Sequence, residues 1–543
     1  MPRDRKYSFR QLRASGWLLA LCCACVPICR KQAPAGVTHG FAYIQKDEKT
    51  ASANAGSAGE ISAYKIQTAR AVFQALVDAR GDLRLQRPAL ALTRSESFAA
   101  WMDPDNITVW LEEKTYDLCT GFGPDSLNAL AAILAHELIH YYEKHEGRGS
   151  AEEEDADHLG GFLALSAGFN TAGIIPELLS RIYRQYDLPD HLDGYPGLAE
   201  RINLAKSAAD KSADLYEVFE IALYLVAFQR HEEAALCFGT VLKRFQSREI
   251  YNNAGVNLVL KALSHVPDRD RRNPLELDPE TRIPRAKPLS VSYDARKDPD
   301  RERAFIREQL LNEAIRLFDQ ASALDRNYAP ALLNKAVAYD LTGQQRRAQF
   351  WAQEALLPAQ DQQGYQTASD AGILLNDLQA AADNRPDPVV PPGNGLPDQP
   401  PKSFREQIEG IDLDKRFSGL QADQVVGIGQ DPASGSNAAL AVKYYTGSKL
   451  MVLSQQSGSL PGGSAILIHL TRENYGGQTA TGLRIGDPVG KITPIYGMPD
   501  RRINLTNGAL LIYQSAGLVF RTAPGDLIKG WAIVLIEKAA SRA

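Results

Sequence analysis

Beyond its first thirty residues this chain has almost no cysteine. Four of its six cysteines, Cys22, Cys23, Cys25 and Cys29, crowd near the start, and only Cys119 and Cys237 follow. Two distant cysteines in different predicted domains make no disulfide framework and read as buried free thiols. An excess of one charge is also missing. The 60 basic and 65 acidic side chains leave a net charge of −5, without the concentrated basic face that a nucleic-acid partner would need. The apolar run from Trp17 to Ile28 holds about a dozen residues, too few for a membrane-spanning helix, which needs roughly 20. A composition of 44% hydrophobic and 23% charged residues excludes wholesale disorder, collagen and coiled coil. At 543 residues the chain should hold about three domains, each large enough to bury a core.

The start is a segment apart. Arg3, Arg5, Lys6, Arg10 and Arg13 precede the apolar run, and Arg30 and Lys31 follow it, the pattern of a secretory signal. Two cleavage points fit. Ala33-Pro34-Ala35 offers a small-x-small site before Gly36, and Cys25, after Ala24, offers the lipidated N-terminal cysteine of a bacterial lipoprotein. Residues 1–35 are therefore expected to be a signal peptide or lipoprotein signal. The mature chain would be periplasmic or outer-membrane-associated, with a lipid anchor in the second case, or otherwise secreted.

Apolar residues at Ile66, Ala69, Val72, Phe73 and Leu76 recur at helical spacing, and 88–93 and 106–111 lean towards β. Pro124-Asp125-Ser126 opens a helix with an apolar face that should run to about Glu146. Residues 206–383 read as helical pairs. Asn334, Ala336, Tyr339, Gly343, Ala348, Ala355 and Leu356 fit the spacing of a tetratricopeptide repeat, and Ala222 and Ala234 repeat the twelve-residue spacing of Ala336 and Ala348. Tyr251 to Gly255 would open a middle repeat whose second helix, Asn312 to Leu324, follows a charged, Pro-rich insertion near 265–303. In the last repeat, Asn334, Lys335 and Tyr339 are expected on the inner, groove-lining helix. Seven prolines between Pro386 and Pro401 mark a linker over 384–402, which predicts few contacts between 403–543 and the rest. The last stretch, with Leu510 to Tyr513, Leu518 to Phe520 and Trp531 to Ile536, reads as a β-meander in a small, mostly-β domain.

The chemistry sits in His136-Glu137-Leu138-Ile139-His140. On a helix the two histidines lie one turn apart on one face and can bind one zinc ion, while Glu137 beside them can take a proton from a water whose pKa zinc lowers. A catalytic zinc needs a third ligand. The acidic run Glu152-Glu153-Glu154-Asp155-Ala156-Asp157 supplies candidates: a helix starting near Ser150 puts Glu153 and Asp157 one turn apart. Glu153 would then ligate, and Asp157 would hold the outer nitrogen of a ligand histidine. Glu152, Glu154 and Asp155 read as a solvated helix start. His145 and His158 read as surface residues or as groups behind the ligands.

Together with Leu163 to Asn170, these motifs resemble the HtpX/BepA/Oma group of gluzincin zinc metallopeptidases over about residues 60–205. Phe98-Ala99-Ala100 and the 106–111 strand are similar to that group's segment before the site and its substrate-edge strand. The resemblance implies one zinc ion per chain on His136, His140 and Glu153, with Glu137 as general base. It departs at His158-Leu159-Gly160, where the group usually has arginine, and at Tyr195-Pro196, where it often has His-Pro ahead of an arginine matched here by Arg201, so that the resemblance puts Tyr195 and Arg201 beside Glu137 among the expected catalytic residues. Tyr195 could donate a hydrogen bond to a developing oxyanion, His191 could take that place, or Tyr195 could simply pack.

The expected architecture is multidomain. An α+β zincin-like metallopeptidase domain at 36–205 precedes an all-α tetratricopeptide-type array at 206–383 and a small, mostly-β domain at 403–543. The expected function is zinc-dependent endoproteolysis of protein substrates in the bacterial envelope, in quality control, with the repeats binding substrate or an envelope protein partner. The alternative is a repeat-based binding or assembly factor with weak or latent protease activity.

Overall fold

The computed structural model describes residues 60–94, 99–145, 150–188, 197–265, 275–277, 281–283, 301–361, 365–382, 407–408, 411–412, 422–428, 440–445, 450–455, 466–471, 475–506 and 508–536. The signal segment, His191, Tyr195, most of the 265–303 insertion and the proline linker lie outside these residues. Among them, no helix is long and apolar enough to cross a membrane.

Helix α1 (Ala63–Arg80) turns Ala69, Val72, Phe73, Leu76 and Val77 inward, as their spacing predicts. It stops at Gly81, whose φ of 59° lets its N–H bond back to Val77 O. Strands β1 (Ala89–Thr93), β2 (Ala100–Asp103) and β3 (Thr108–Glu112) form a sheet of order β1-β3-β2. β3 pairs parallel with β1 and antiparallel with β2. The stretch expected as the substrate-edge strand, 106–111, is therefore internal: β3 has both sides paired, and among the described residues β1 and β2 are the edge strands.

Helices α2 (Glu113–Thr120), α3 (Ser126–Tyr142), α4 (Ser150–Ser166) and α5 (Ile175–Gln185) follow. α3 is apolar nearly all round and is buried all round, because α1, α4 and β2 flank it. It begins after a 3₁₀ turn at Gly123–Asp125 and ends at Tyr142, where its apolar face ends and a turn before the expected Glu146.

Helix α6 (Leu198–Ala227) runs for 30 residues. It starts beside α4 and ends against α7 (His231–Leu242), so the boundary expected at 205/206 falls inside one continuous helix. The pairs continue through α8 (Arg248–Ser264), a small hairpin of β4 (Leu275–Leu277) and β5 (Thr281–Ile283), α9 (Arg301–Leu324), α10 (Ala329–Leu341), α11 (Gln345–Asp361) and α12 (Tyr365–Ala382). Ser247 caps α8 by accepting from Ile250 N at 3.3 Å. Ala222, Ala234, Ala314, Ala321, Ala336 and Ala348 are fully buried where helices meet. Gly255 belongs with them, since a Cβ there would stand 2.5 Å from the Phe318 ring.

The expectation that Asn334 and Lys335 line an open groove is not met. Asn334 is fully buried and donates to Asn252 Oδ1 at 2.8 Å. Lys335 pairs with Asp319 at 2.5 Å and lies over the Trp351 ring at 3.3 Å. Both side chains satisfy neighbours within the array. Tyr339 is half-buried with Arg347 near its ring.

After the short ladder of β6 (Gln407–Ile408) and β7 (Ile411–Asp412) comes an antiparallel sheet. It comprises β8 (Gln424–Ile428), β9 (Leu440–Tyr445), β10 (Leu450–Gln455), β11 (Ile466–Thr471), β12 (Arg501–Leu505), β13 (Gly508–Tyr513), β14 (Leu518–Ala523) and β15 (Leu527–Ile536). Its order is β12-β13-β14-β15-β11-β10-β9-β8, and a one-turn helix α13 (Thr493–Tyr496) precedes β12. Residues alternate between two cores. Met451, Leu453, Leu510, Ile512, Val519, Ala532 and Val534 join the core that runs through the helices. Leu450, Val452, Leu511, Phe520, Trp531 and Ile533 pack with Tyr475, Leu483 and Ile492 on the other face.

The sheet is therefore not set apart by a linker. Arg521 of β14 forms a buried ion pair with Glu220 of α6 at 2.6 Å, and Gln514 Nε2 donates to Ala227 O. All the described residues belong to one compact unit.

Candidate metal centre

α3 presents His136 and His140 on one face, one turn apart, with their Nε2 atoms 3.1 Å from each other. α4 crosses beside it because Gly160 has no side chain. A Cβ at Gly160 would stand 3.1 Å from His136 N and 3.2 Å from its Cα. That close approach carries Glu153, one turn into α4, to the two imidazoles. Its Oε2 is 3.4 Å from His136 Nε2, and its Oε1 is 3.6 Å from His140 Nε2. All three side chains are buried.

These separations suit one ion. Four donors about 2.0–2.1 Å from a tetrahedral zinc lie about 3.3–3.4 Å from one another. Two further observations show that the surroundings favour positive charge here. Glu153 Oε1 is buried without a hydrogen-bond partner, an expensive state for a carboxylate oxygen. Burial opposes charging His136, yet hydrogen bonds to Asp157 and Glu153 outweigh it and lift the imidazole's pKa to about 10. The donors fit a zinc-like cation.

Behind the donors stands a second set of groups. Asp157 Oδ1 lies 2.9 Å from His136 Nδ1, as the E-x-x-x-D spacing predicts. Both terminal nitrogens of Arg201, at the start of α6, donate to Asp157. Burial alone would raise the Asp157 pKa, but Arg201 and His136 bring it down to about 2. Arg201, expected among the catalytic residues, thus touches Asp157 from behind, and its link to the donors runs through that carboxylate. On His140 the matching place is filled by His145, whose Nδ1 is 3.0 Å from His140 Nδ1.

Glu137 is fully buried and accepts a hydrogen bond from Met102 N at 3.0 Å. The β2 edge therefore runs beside the HExxH turn, and Met102 N–H points away from β3. Nothing in the sequence distinguishes this backbone donor, because any residue would supply it; the signal lay only in a short strand-forming run after Phe98. Glu154 pairs with Lys211 at 2.6 Å on the surface, and Asp155 is exposed, as expected for a solvated helix start. His158 lies on α4 outside the donor group and is half-buried. Tyr195 lies outside the described residues.

No protein-family model matches this chain, and no curated protein matches it.

Proposed function

We propose that this chain is a zinc-dependent endopeptidase with a zincin-like catalytic half of the HtpX/BepA/Oma kind, followed by tetratricopeptide-type helices. The observation that carries the reading is the convergence of His136, His140 and Glu153, with Glu137 between the histidines and the edge strand β2 alongside. Held by these donors, zinc would act as a Lewis acid towards a peptide carbonyl and lower the pKa of a water to near neutral.

The remaining work falls to the chain. Glu137 takes the proton of the attacking water and returns it to the leaving amine. Met102 N–H fixes one of its oxygens and limits rotation of the carboxylate. Asp157, clamped by Arg201, keeps the His136 proton on Nδ1 and leaves its Nε2 lone pair for the ion. The outer edge of β2, apart from the Met102 N–H that Glu137 takes, offers its remaining backbone groups to an extended peptide lying alongside. Because Asn334 and Lys335 are engaged within the array, this reading places substrate choice at the β2 edge. The basic, apolar start of the chain supports export to the bacterial envelope, with a lipid anchor where Cys25 becomes the first residue. A role in envelope protein quality control belongs to the same reading.

The test is zinc content and casein hydrolysis of the mature chain beside Glu137→Gln. The variant should keep zinc and lose hydrolysis by about 10²–10⁴-fold, the usual contribution of a general base. Unchanged turnover would sink the mechanism, and a parent chain without zinc would sink the reading.

A further inference from the structure

The chain leaves α3 through a specific backbone arrangement. His145 N donates to His140 O at 3.1 Å, Lys144 N donates to Tyr141 O at 3.3 Å, and Lys144 has φ of 57°. These are the two bonds and the left-handed residue of a Schellman ending, which brings the side chains of its first and last residues together. That contact is frequently apolar. Here it joins two imidazoles, with ring centroids 5.1 Å apart, planes at 76° and the two Nδ1 atoms 3.0 Å apart. A lysine occupies the position where glycine is usual, so the turn holds its shape without the residue that adopts it most easily.

We propose that His145 is a positioning residue that sets the tautomer and ring orientation of His140; the inference rests on the metal-centre reading above. His140 aims Nε2 at the donor group. A lone pair there requires its proton to sit on Nδ1. That N–H faces His145 Nδ1, which must accept, so the His145 proton sits on Nε2. Each ligand histidine then has its own support. His136 is backed by a carboxylate clamped by Arg201, and His140 by a neutral imidazole held by a helix ending. The loop after α3 is part of the site because of where its backbone puts this ring.

The experiment uses the full chain in four forms: parent, His145→Leu, His145→Asn and His136→Ala. Zinc affinity is read by competition with a chromophoric chelator, and coordination by the visible absorption of the cobalt(II)-loaded protein. Urea unfolding of the metal-free forms checks the fold. Leucine fills the space without accepting a hydrogen bond, so His145→Leu should bind zinc about 10–100-fold more weakly and shift the cobalt bands. Asparagine places Oδ1 where Nδ1 stood, so His145→Asn should recover most of the affinity and the parent spectrum. Parent affinity and an unshifted spectrum in His145→Leu would overturn the proposal. A loss in His145→Leu as complete as in His136→Ala, without rescue by asparagine, would also overturn it, by making His145 a ligand. A parent chain that binds neither metal would instead refute the metal-centre reading itself.

Discussion

Gly160 is where α4 packs directly against the backbone of α3, and Gly160→Ala measures what that approach is worth. The added Cβ would meet His136 N at 3.1 Å, His136 Cα at 3.2 Å and Ala135 C at 3.3 Å. Relaxed carbon contacts lie at about 3.5–4.0 Å. All three neighbours are backbone atoms of a helix buried on every side, so none can rotate away, and α3 and α4 must part by a few tenths of an ångström. Overpacking of this kind costs about 1–3 kcal/mol. Against it, alanine gains about 0.5–1 kcal/mol over glycine in a helix interior. The strain wins, and a net loss of about 1–2 kcal/mol is expected in urea unfolding of the metal-free chain. The same displacement moves His136 away from Glu153 and Asp157. Zinc affinity should therefore fall by about tenfold, equivalent to about 1.4 kcal/mol, in chelator competition. Gly161→Ala is the control. Its Cβ would press on Ser212 of α6, 2.5 Å from the hydroxyl, so it should cost stability while leaving zinc affinity near that of the parent. A Gly160→Ala chain that is more stable than the parent and binds zinc equally well would refute the reasoning, since helix propensity would then be the only force acting there.

The buried pair between Arg521 and Glu220 predicts that Arg521→Met strands a carboxylate in the core at a cost of about 3–5 kcal/mol, while the double change with Glu220→Gln restores much of that stability; equal urea midpoints for the single variant and the parent would refute this. Burial pushes the Cys119 thiol up to about 12 and raises that of Cys237 as well, so in the chain lacking residues 1–35 neither should react with an aromatic disulfide at neutral pH until denaturant is added; prompt reaction of either in the native protein would contradict the packing described for it.

Several parts of this protein were written locally. The helix over α3 and the face shared by His136 and His140 follow from a 3.6-residue period, and Glu153 and Asp157 reach the same face of α4 for the same reason. The fully buried alanines at the helix contacts were legible because close helix packing admits only small residues. The β-meander was legible too, and its strands carried a further clue. Runs such as Leu510 to Tyr513 and Trp531 to Ile536 do not alternate with polar residues, which suits a sheet buried on both faces. The proline run before them suggested separation, but linker composition says nothing about the surfaces it connects.

Other features depended on positions far apart in the chain. β3 became internal only when β1 and β2 paired on either side of it, and strand propensity does not reveal the number of neighbours. Arg201 lies 44 residues from Asp157, and only the passage of α6 behind α4 turned a motif arginine into the clamp of a carboxylate. Asn334 and Lys335 looked available because helical periodicity gives a residue's face but not what covers it; Asn252, Asp319 and Trp351 came from other helices. Period, small-residue spacing and donor type were thus set by neighbours along the chain. Which edge stays free, which charge is paired and which polar group is spent inside were decided by packing, because those outcomes depend on partners that local sequence does not encode.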